Sequence, residues 1–235
     1  MLPPTAIAFD LDGTLIDSRG DIVAAVNHAL RETGRSPLPG PMIVRFVGDG
    51  GRSLVARAAQ LPENTDETDR LLQLFTDYYV EHPVDFTRWT TGAQEALDTL
   101  AELPDMALAI CTNKPRATTE AVLSALGVRT RFRAIIAGGD LLEKKPAPGP
   151  LLHLSKVLHV GPEAMVMVGD GPQDIECARR AGMRSVAVSS GFTPPDRLLA
   201  THADVTIRTL IELPDVIRRW RDATVRISLP VSERS

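Results

Sequence analysis

Short, unbroken apolar runs separated by helical stretches dominate this chain. Ala6-Ile7-Ala8-Phe9, Met106-Ala107-Leu108-Ala109-Ile110-Cys111 and Ala164-Met165-Val166-Met167-Val168 are too short for ordinary helices and show no polar alternation. Runs of this kind mark strands buried on both faces. Strands are expected near 5–10, 106–112, 133–137, 164–169, 185–189 and 204–207, with helical segments between them. Strands alternating with helices build a parallel sheet covered on both sides, so the expected class is α/β.

Residues 18–87 break this rhythm, because they hold no strand candidate and are too long for a simple crossover. Ile22, Val23, Val26, Ala29 and Leu30 fall on one helical face, with Gly34 as a stop. Leu71, Leu72, Leu74, Phe75, Tyr78 and Tyr79 mark another helix, its aromatics read as core. The expected organisation is therefore a Rossmann-like parallel-sheet core from 1–17 and 88–221, with an all-helical cap inserted at 18–87. From Asp222 to Ser235 helical periodicity fades, which predicts a loosely ordered tail.

The chemistry clusters where the strands end. Asp10-Leu11-Asp12-Gly13-Thr14 follows the first strand, and alternation turns Asp10 and Asp12 to one side before Gly13 lets the chain leave the sheet. An Asx-type turn would explain one Asp. Two carboxylates in one small volume repel each other unless a shared proton or a hard cation relieves them, and Mg²⁺ is the simplest such cation. Thr112-Asn113-Lys114-Pro115 follows the second strand and is read as a helix start with anion-friendly groups. Lys144-Lys145-Pro146-Ala147-Pro148 holds a lysine in a restricted loop, and Gly169-Asp170-Gly171-Pro172-Gln173-Asp174 supplies two more acids. Cations for phosphate oxygens and acids for a metal are what phosphoryl transfer requires.

These four stretches, in this order, resemble motifs I to IV of the haloacid dehalogenase superfamily. Through Asp10 to Asp17, Val47-Gly48-Asp49-Gly50, Thr112 to Pro115 and Lys144 to Pro150 the chain is similar to phosphoglycolate phosphatases. It departs from the pattern at Gly171, where many relatives have Ser or Thr, and at Trp89-Thr90-Thr91-Gly92, where an aromatic-Pro-Gly is common. The resemblance implies a C1 cap and an Mg²⁺-dependent phosphatase. It makes Asp10 the nucleophile that forms an aspartyl-phosphate, and Asp12 the acid and base, whose backbone carbonyl meets the metal. Asp170 becomes a direct metal ligand, with Asp174 behind it on metal waters or Lys145. Thr112, Asn113 and Lys145 become ligands of the transferring phosphoryl. Arg52, in the glycine-rich cap loop, is offered as the partner of a substrate carboxylate, with 2-phosphoglycolate as the expected substrate. A sugar-phosphate phosphatase, a pyrophosphatase and a phosphomutase of the same fold are the alternatives. A dehalogenase would have no use for Asp12, and an idle binding module would not need the full motif set.

Composition narrows the field only slightly. With 235 residues, 43% hydrophobic, the chain can bury a substantial core. A formal net charge of −4 argues against a nucleic-acid binder, and no apolar run reaches membrane-spanning length. A cytoplasmic monomer or homodimer acting on a small phosphate ester is expected. Cys111 and Cys177 read as reduced core residues, and His28, His82, His153, His159 and His202 lack ligand spacing for zinc. Lys114 and Lys144 are left open between surface lysines and working ones.

Overall fold

A computed structural model describes residues 2–228. The strands are β1 (Ala6–Phe9), β2 (Ile16–Asp17), β3 (Arg88–Trp89), β4 (Ala107–Pro115), β5 (Ala134–Gly138), β6 (Met165–Gly169), β7 (Arg184–Val188) and β8 (Val205–Ile207). Six of them form one sheet in the order β5-β4-β1-β6-β7-β8, and every pairing in it is parallel. All four residues of β1 and all five of β6 are buried, as the unbroken apolar runs require of strands covered on both faces. The α/β reading of the sequence holds.

β1 sits between β4 and β6, and the chain builds outward from it in both directions. Such a switch point opens a crevice at the strands' carboxyl ends. Asp10 follows β1, Asp170 follows β6, and Thr112 to Lys114 lie in the last residues of β4. Here the structure corrects a boundary. Thr112–Pro115 continue the strand with irregular register, and helix begins only at Arg116, because Pro115 cannot follow a helical residue comfortably.

Between β2 and β3 the chain is helical: α1 (Arg19–Glu32), α2 (Gly40–Val44), α3 (Gly51–Ala59) and α4 (Asp66–Glu81). Ile22, Val26, Leu71, Phe75 and Tyr79 are buried together, and each large apolar side chain so placed contributes about 1.5–3 kcal/mol. β2 and β3, two residues each, pair antiparallel and draw the two connections to this helical unit side by side. Asp21 adds a clasp, since its carboxylate accepts hydrogen bonds from Phe86 N at 3.0 Å, Thr87 N at 2.8 Å and Thr87 Oγ1 at 2.5 Å.

The remaining helices α5 (Ala93–Ala101), α6 (Arg116–Ala125), α7 (Gly149–Leu158), α8 (Pro172–Ala181), α9 (Pro195–Leu199) and α10 (Leu213–Ser228) flank the sheet. Helix α10 carries on through Asp222 to Ser228, where the sequence reading places the start of a tail. The rest of that expected tail, 229–235, lies outside the described residues. Among the described residues no helix is long and apolar enough to cross a membrane.

Candidate active site

The strand ends bring Asp10, Asp170 and Asp174 together. One carboxylate oxygen from each lies within 4.8 Å of the others, and all three residues are buried. Asp170 is pinned by Thr14 Oγ1 at 3.2 Å on one oxygen and by Phe192 N at 2.6 Å on the other. Gly13 makes this possible: its φ is +89°, and a Cβ there would stand 2.5 Å from Asp170 Oδ2. Asp174, in the first turn of α8, accepts from Gly171 N at 2.9 Å.

Lys145 closes this group. Its Nζ donates to Asp10 Oδ1 at 2.8 Å, Asp174 Oδ1 at 2.6 Å and the Cys111 carbonyl at 2.6 Å, so three acceptors take three donors. Burial disfavours its charge, but Asp10 and Asp174 outweigh that and hold its pKa above the ordinary lysine value. One ammonium is not enough for three acids. Burial, with the charges of Asp10 and Asp174, pushes the Asp170 carboxyl up to about 8. Burial also raises Asp174 to about 6 against the pull of Lys145. Hard oxygen donors with surplus negative charge in a buried cluster fit a hard divalent cation. Among the described residues no second group of this kind occurs, and none of the five histidines joins one.

Asp12 stands apart from that cluster and has its own partners. Ser18 Oγ donates to Asp12 Oδ1 at 2.5 Å, and Lys114 Nζ lies 3.0 Å and 3.2 Å from the two oxygens. Lys114 is thus no surface lysine: its side chain is 3% exposed. Tyr79, from helix α4, is its second partner, accepting from the same Nζ at 2.9 Å on the hydroxyl and placing its ring face 4.0 Å away. Burial opposes the Lys114 charge, yet Asp12 and then Tyr79 raise its pKa. Sequence periodicity puts Tyr79 in the apolar core, and its ring is there, but the hydroxyl has a polar task that periodicity does not reveal.

Asn113 lines the cavity, and its side chain is bonded within the protein. Its amide Nδ2 donates to the carbonyls of Lys145 and Gly48, each at 2.9 Å, and its Oδ1 accepts from Lys145 N at 3.0 Å. The side chain therefore fixes the loop that carries Lys145 and fastens it to the cap. Thr112 lines the cavity and accepts from Lys114 N at 3.2 Å. Lys144 reaches the cap as well, donating to the Asp49 carbonyl at 2.6 Å and lying 3.2 Å from Ser53 Oγ.

Arg52 does not enter the site. Its guanidinium pairs with Asp69 at 2.5 Å and donates to the Glu63 carbonyl at 2.9 Å. The reason is the acidic first turn of α4, Asp66, Glu67 and Asp69, which lies across from the start of α3 and takes the positive charge. The cavity over the carboxylates, about 940 Å³, is instead bordered by Arg45 and Arg57 from the cap and by Arg179 and Arg197 from the core.

A parallel sheet with paired acids at its switch point, backed by buried lysines and covered by a helical insertion, defines a hydrolase class that comparison with known proteins identifies. The sequence profile of the haloacid dehalogenase-like hydrolases matches residues 7–188, and the chain belongs to that family. It is 38% identical over 218 residues to the phosphoglycolate phosphatase of Chromobacterium violaceum, covering 91% of this chain and 96% of that one. It is 38% identical over 205 residues to the phosphoglycolate phosphatase of Neisseria meningitidis, covering 86% of each. Among solved structures it resembles a predicted phosphoglycolate phosphatase from Haemophilus somnus, with a TM-score of 0.82, 26% identity, and coverage of 92% of this chain and 99% of that one. The chain is a phosphoric monoester hydrolase.

Proposed function

We propose that this enzyme is an Mg²⁺-dependent phosphatase that hydrolyses 2-phosphoglycolate to glycolate and phosphate through a phosphoryl group carried on Asp10. The observation that carries the reading is the division of the acids into two sets. Asp10 shares Lys145 with Asp174 and neighbours Asp170, while Asp12 has Ser18 and Lys114 to itself. A nucleophile and a separate acid are what a two-step displacement needs.

Asp10 attacks phosphorus, with Lys145 on its Oδ1 offsetting the repulsion between carboxylate and phosphate dianion. As the ester bond breaks, Asp12 gives its proton to the leaving alkoxide. The bond from Asp10 to phosphorus is then hydrolysed by a water that Asp12, now a carboxylate, deprotonates. Thr112, in the second half of β4 and lining the cavity, would hold a phosphoryl oxygen. Asp10 and Asp170, with the Asp12 carbonyl, would hold the Mg²⁺, and Asp174 would orient the set through Lys145. Bound there, the ion supplies positive charge to the phosphoryl oxygens. The substrate assignment draws on the curated relatives named phosphoglycolate phosphatase at 34–38% identity. Two buried, unpaired thiols suit a reducing compartment, and the cytoplasm is the proposed location.

The cavity volume of about 940 Å³ is roomier than 2-phosphoglycolate requires and favours a sugar phosphate as the second reading. One experiment separates them: phosphate release from 2-phosphoglycolate, glucose 6-phosphate, a nucleoside monophosphate and pyrophosphate, with and without a chelator. The proposal expects the highest kcat/KM on 2-phosphoglycolate and silence in the chelator. Preference for another ester would replace the substrate, and full activity in chelator would remove the metal.

A further inference from the structure

Two lysines stand by the catalytic carboxylates, and their donors are used differently. Lys145 has three acceptors for its three N–H groups. Lys114 lies 3.0 Å and 3.2 Å from the two oxygens of one carboxylate, Asp12, which a single N–H can serve, and 2.9 Å from the Tyr79 hydroxyl, and it lines the cavity. An ammonium offers three donors, so Lys114 has capacity for one more acceptor arriving from the cavity.

We propose that Lys114, set in place by the cap residue Tyr79, is the receptor for a substrate carboxylate next to the scissile ester oxygen, and so determines specificity for 2-phospho acids. This rests on the phosphatase reading, in which Asp12 protonates that oxygen. Lys114 Nζ is 3.0 Å from Asp12 Oδ1, so it flanks the leaving group and not the transferred phosphoryl. In 2-phosphoglycolate a single methylene separates the ester oxygen from the carboxylate, a span that keeps the carboxylate within reach of a cation touching Asp12. Arg52, the residue first expected in this role, is turned to Asp69. Tyr79 comes from the cap and Lys114 from the core, so the receptor is complete only where the two units meet. A cation on a buried stem held by a hydroxyl and a ring face is preorganised, which favours one anion position over others.

The test compares kcat/KM for 2-phosphoglycolate and for ethyl phosphate, which replaces the carboxylate by a methyl group, in the wild-type chain and in Lys114→Gln, Lys114→Arg and Tyr79→Phe. The wild-type ratio should favour 2-phosphoglycolate by about 10²-fold, in the range that a buried charge pair supplies. Lys114→Gln should bring the ratio close to one by a larger loss on 2-phosphoglycolate. Lys114→Arg should keep most of the preference, and Tyr79→Phe should reduce it several-fold. An equal loss on both esters in Lys114→Gln would overturn the inference and leave Lys114 a positioning residue for Asp12. A wild-type ratio near one would overturn it without any variant. A wild type that favours glucose 6-phosphate over 2-phosphoglycolate would instead refute the substrate reading, a separate result from the ratio between the two small esters.

Discussion

The floor of the cavity and its roof are built on different principles. On the floor, Asp10, Asp170 and Asp174 issue from the ends of β1 and β6 and the first turn of α8, and Lys145 spends its three donors on Asp10, Asp174 and the Cys111 carbonyl. Charge there is buried, with one ammonium set against three acids, so small changes cost much. The roof is the helical insertion, which shares an apolar cluster with the sheet and adds spread polar contacts to it: Asn113 to Gly48, Lys144 to Asp49 and Ser53, and Lys114 to Tyr79. The floor can carry the chemistry, and the roof can carry the choice of substrate. The contrast also explains why a helical cap can be inserted without disturbing the sheet, because both connections leave through one short β2–β3 pair clasped by Asp21.

The sharpest way to break this division is to remove the nucleophile. Asp10→Asn keeps the side-chain shape and should lower turnover by about 10⁴-fold or more with the fold retained, measured by phosphate release and circular dichroism. Substantial residual activity would move the chemistry elsewhere. Next in size is Lys145→Ala. It strands the Asp10 and Asp174 carboxylates in a site where Lys145 itself is 1% exposed, and should cost about 3–5 kcal/mol in urea unfolding besides silencing the enzyme. A loss of activity with unchanged stability would show that the buried acids do not depend on Lys145 for their stability.

Asn113→Ala probes the joint between the two regions. It deletes both bonds to the Lys145 backbone and the one to Gly48, and should reduce kcat/KM by about 10–100-fold, as loss of a supporting hydrogen-bond partner typically does. A change below twofold would mean that Lys145 is positioned without it.

Metal and pH sharpen the comparison further. Asp170 and Asp174 are raised to about 8 and about 6 from a reference of 3.8, so the metal-free fold holds protons that the unfolded chain has already lost. Stability from these groups is full below pH 3.8 and falls as pH rises through 6 and then 8. The melting temperature of metal-free protein should therefore decline from about pH 5 to about pH 8.5, a range that brackets those values. Added Mg²⁺ should raise it most at the alkaline end and release protons on binding at neutral pH. A rising melting temperature across that range without metal would contradict the surplus of charge on the floor.

The smallest effect belongs to Arg52→Ala. With the guanidinium half-exposed on Asp69, the change should alter stability by no more than about 0.5–1 kcal/mol and kcat/KM by less than about twofold. A large rise in KM for 2-phosphoglycolate would return Arg52 to the site.

Much of the floor was legible before any coordinates. Each of its acids follows a continuous apolar run or opens the helix after one, and an apolar run that ends in Asp-x-Asp-Gly or Gly-Asp reports both the strand and the chemistry at its end. The roof was legible only as helices. Periodicity shows that Tyr79 faces inward, but not that its hydroxyl meets Lys114, which is 35 positions away along the chain. Arg52 was misplaced for the same reason: its nearest acid, Asp69, lies on a different helix, and no local pattern shows which charges will meet.

By itself, then, the amino-acid order determined the parallel sheet, the helical character of the insertion and the carboxylates at the strand ends, because strand burial and turn chemistry are local properties read within a few residues. Tertiary structure alone decided that Lys145 would be saturated by three acceptors and Lys114 left with a place for another. It also decided that Asn113 would face the Lys145 loop and that a cap tyrosine would reach the core. Those outcomes depend on how separate elements pack against one another, and the balance of charge in a buried site is a sum over every group that packing brings within a few ångströms.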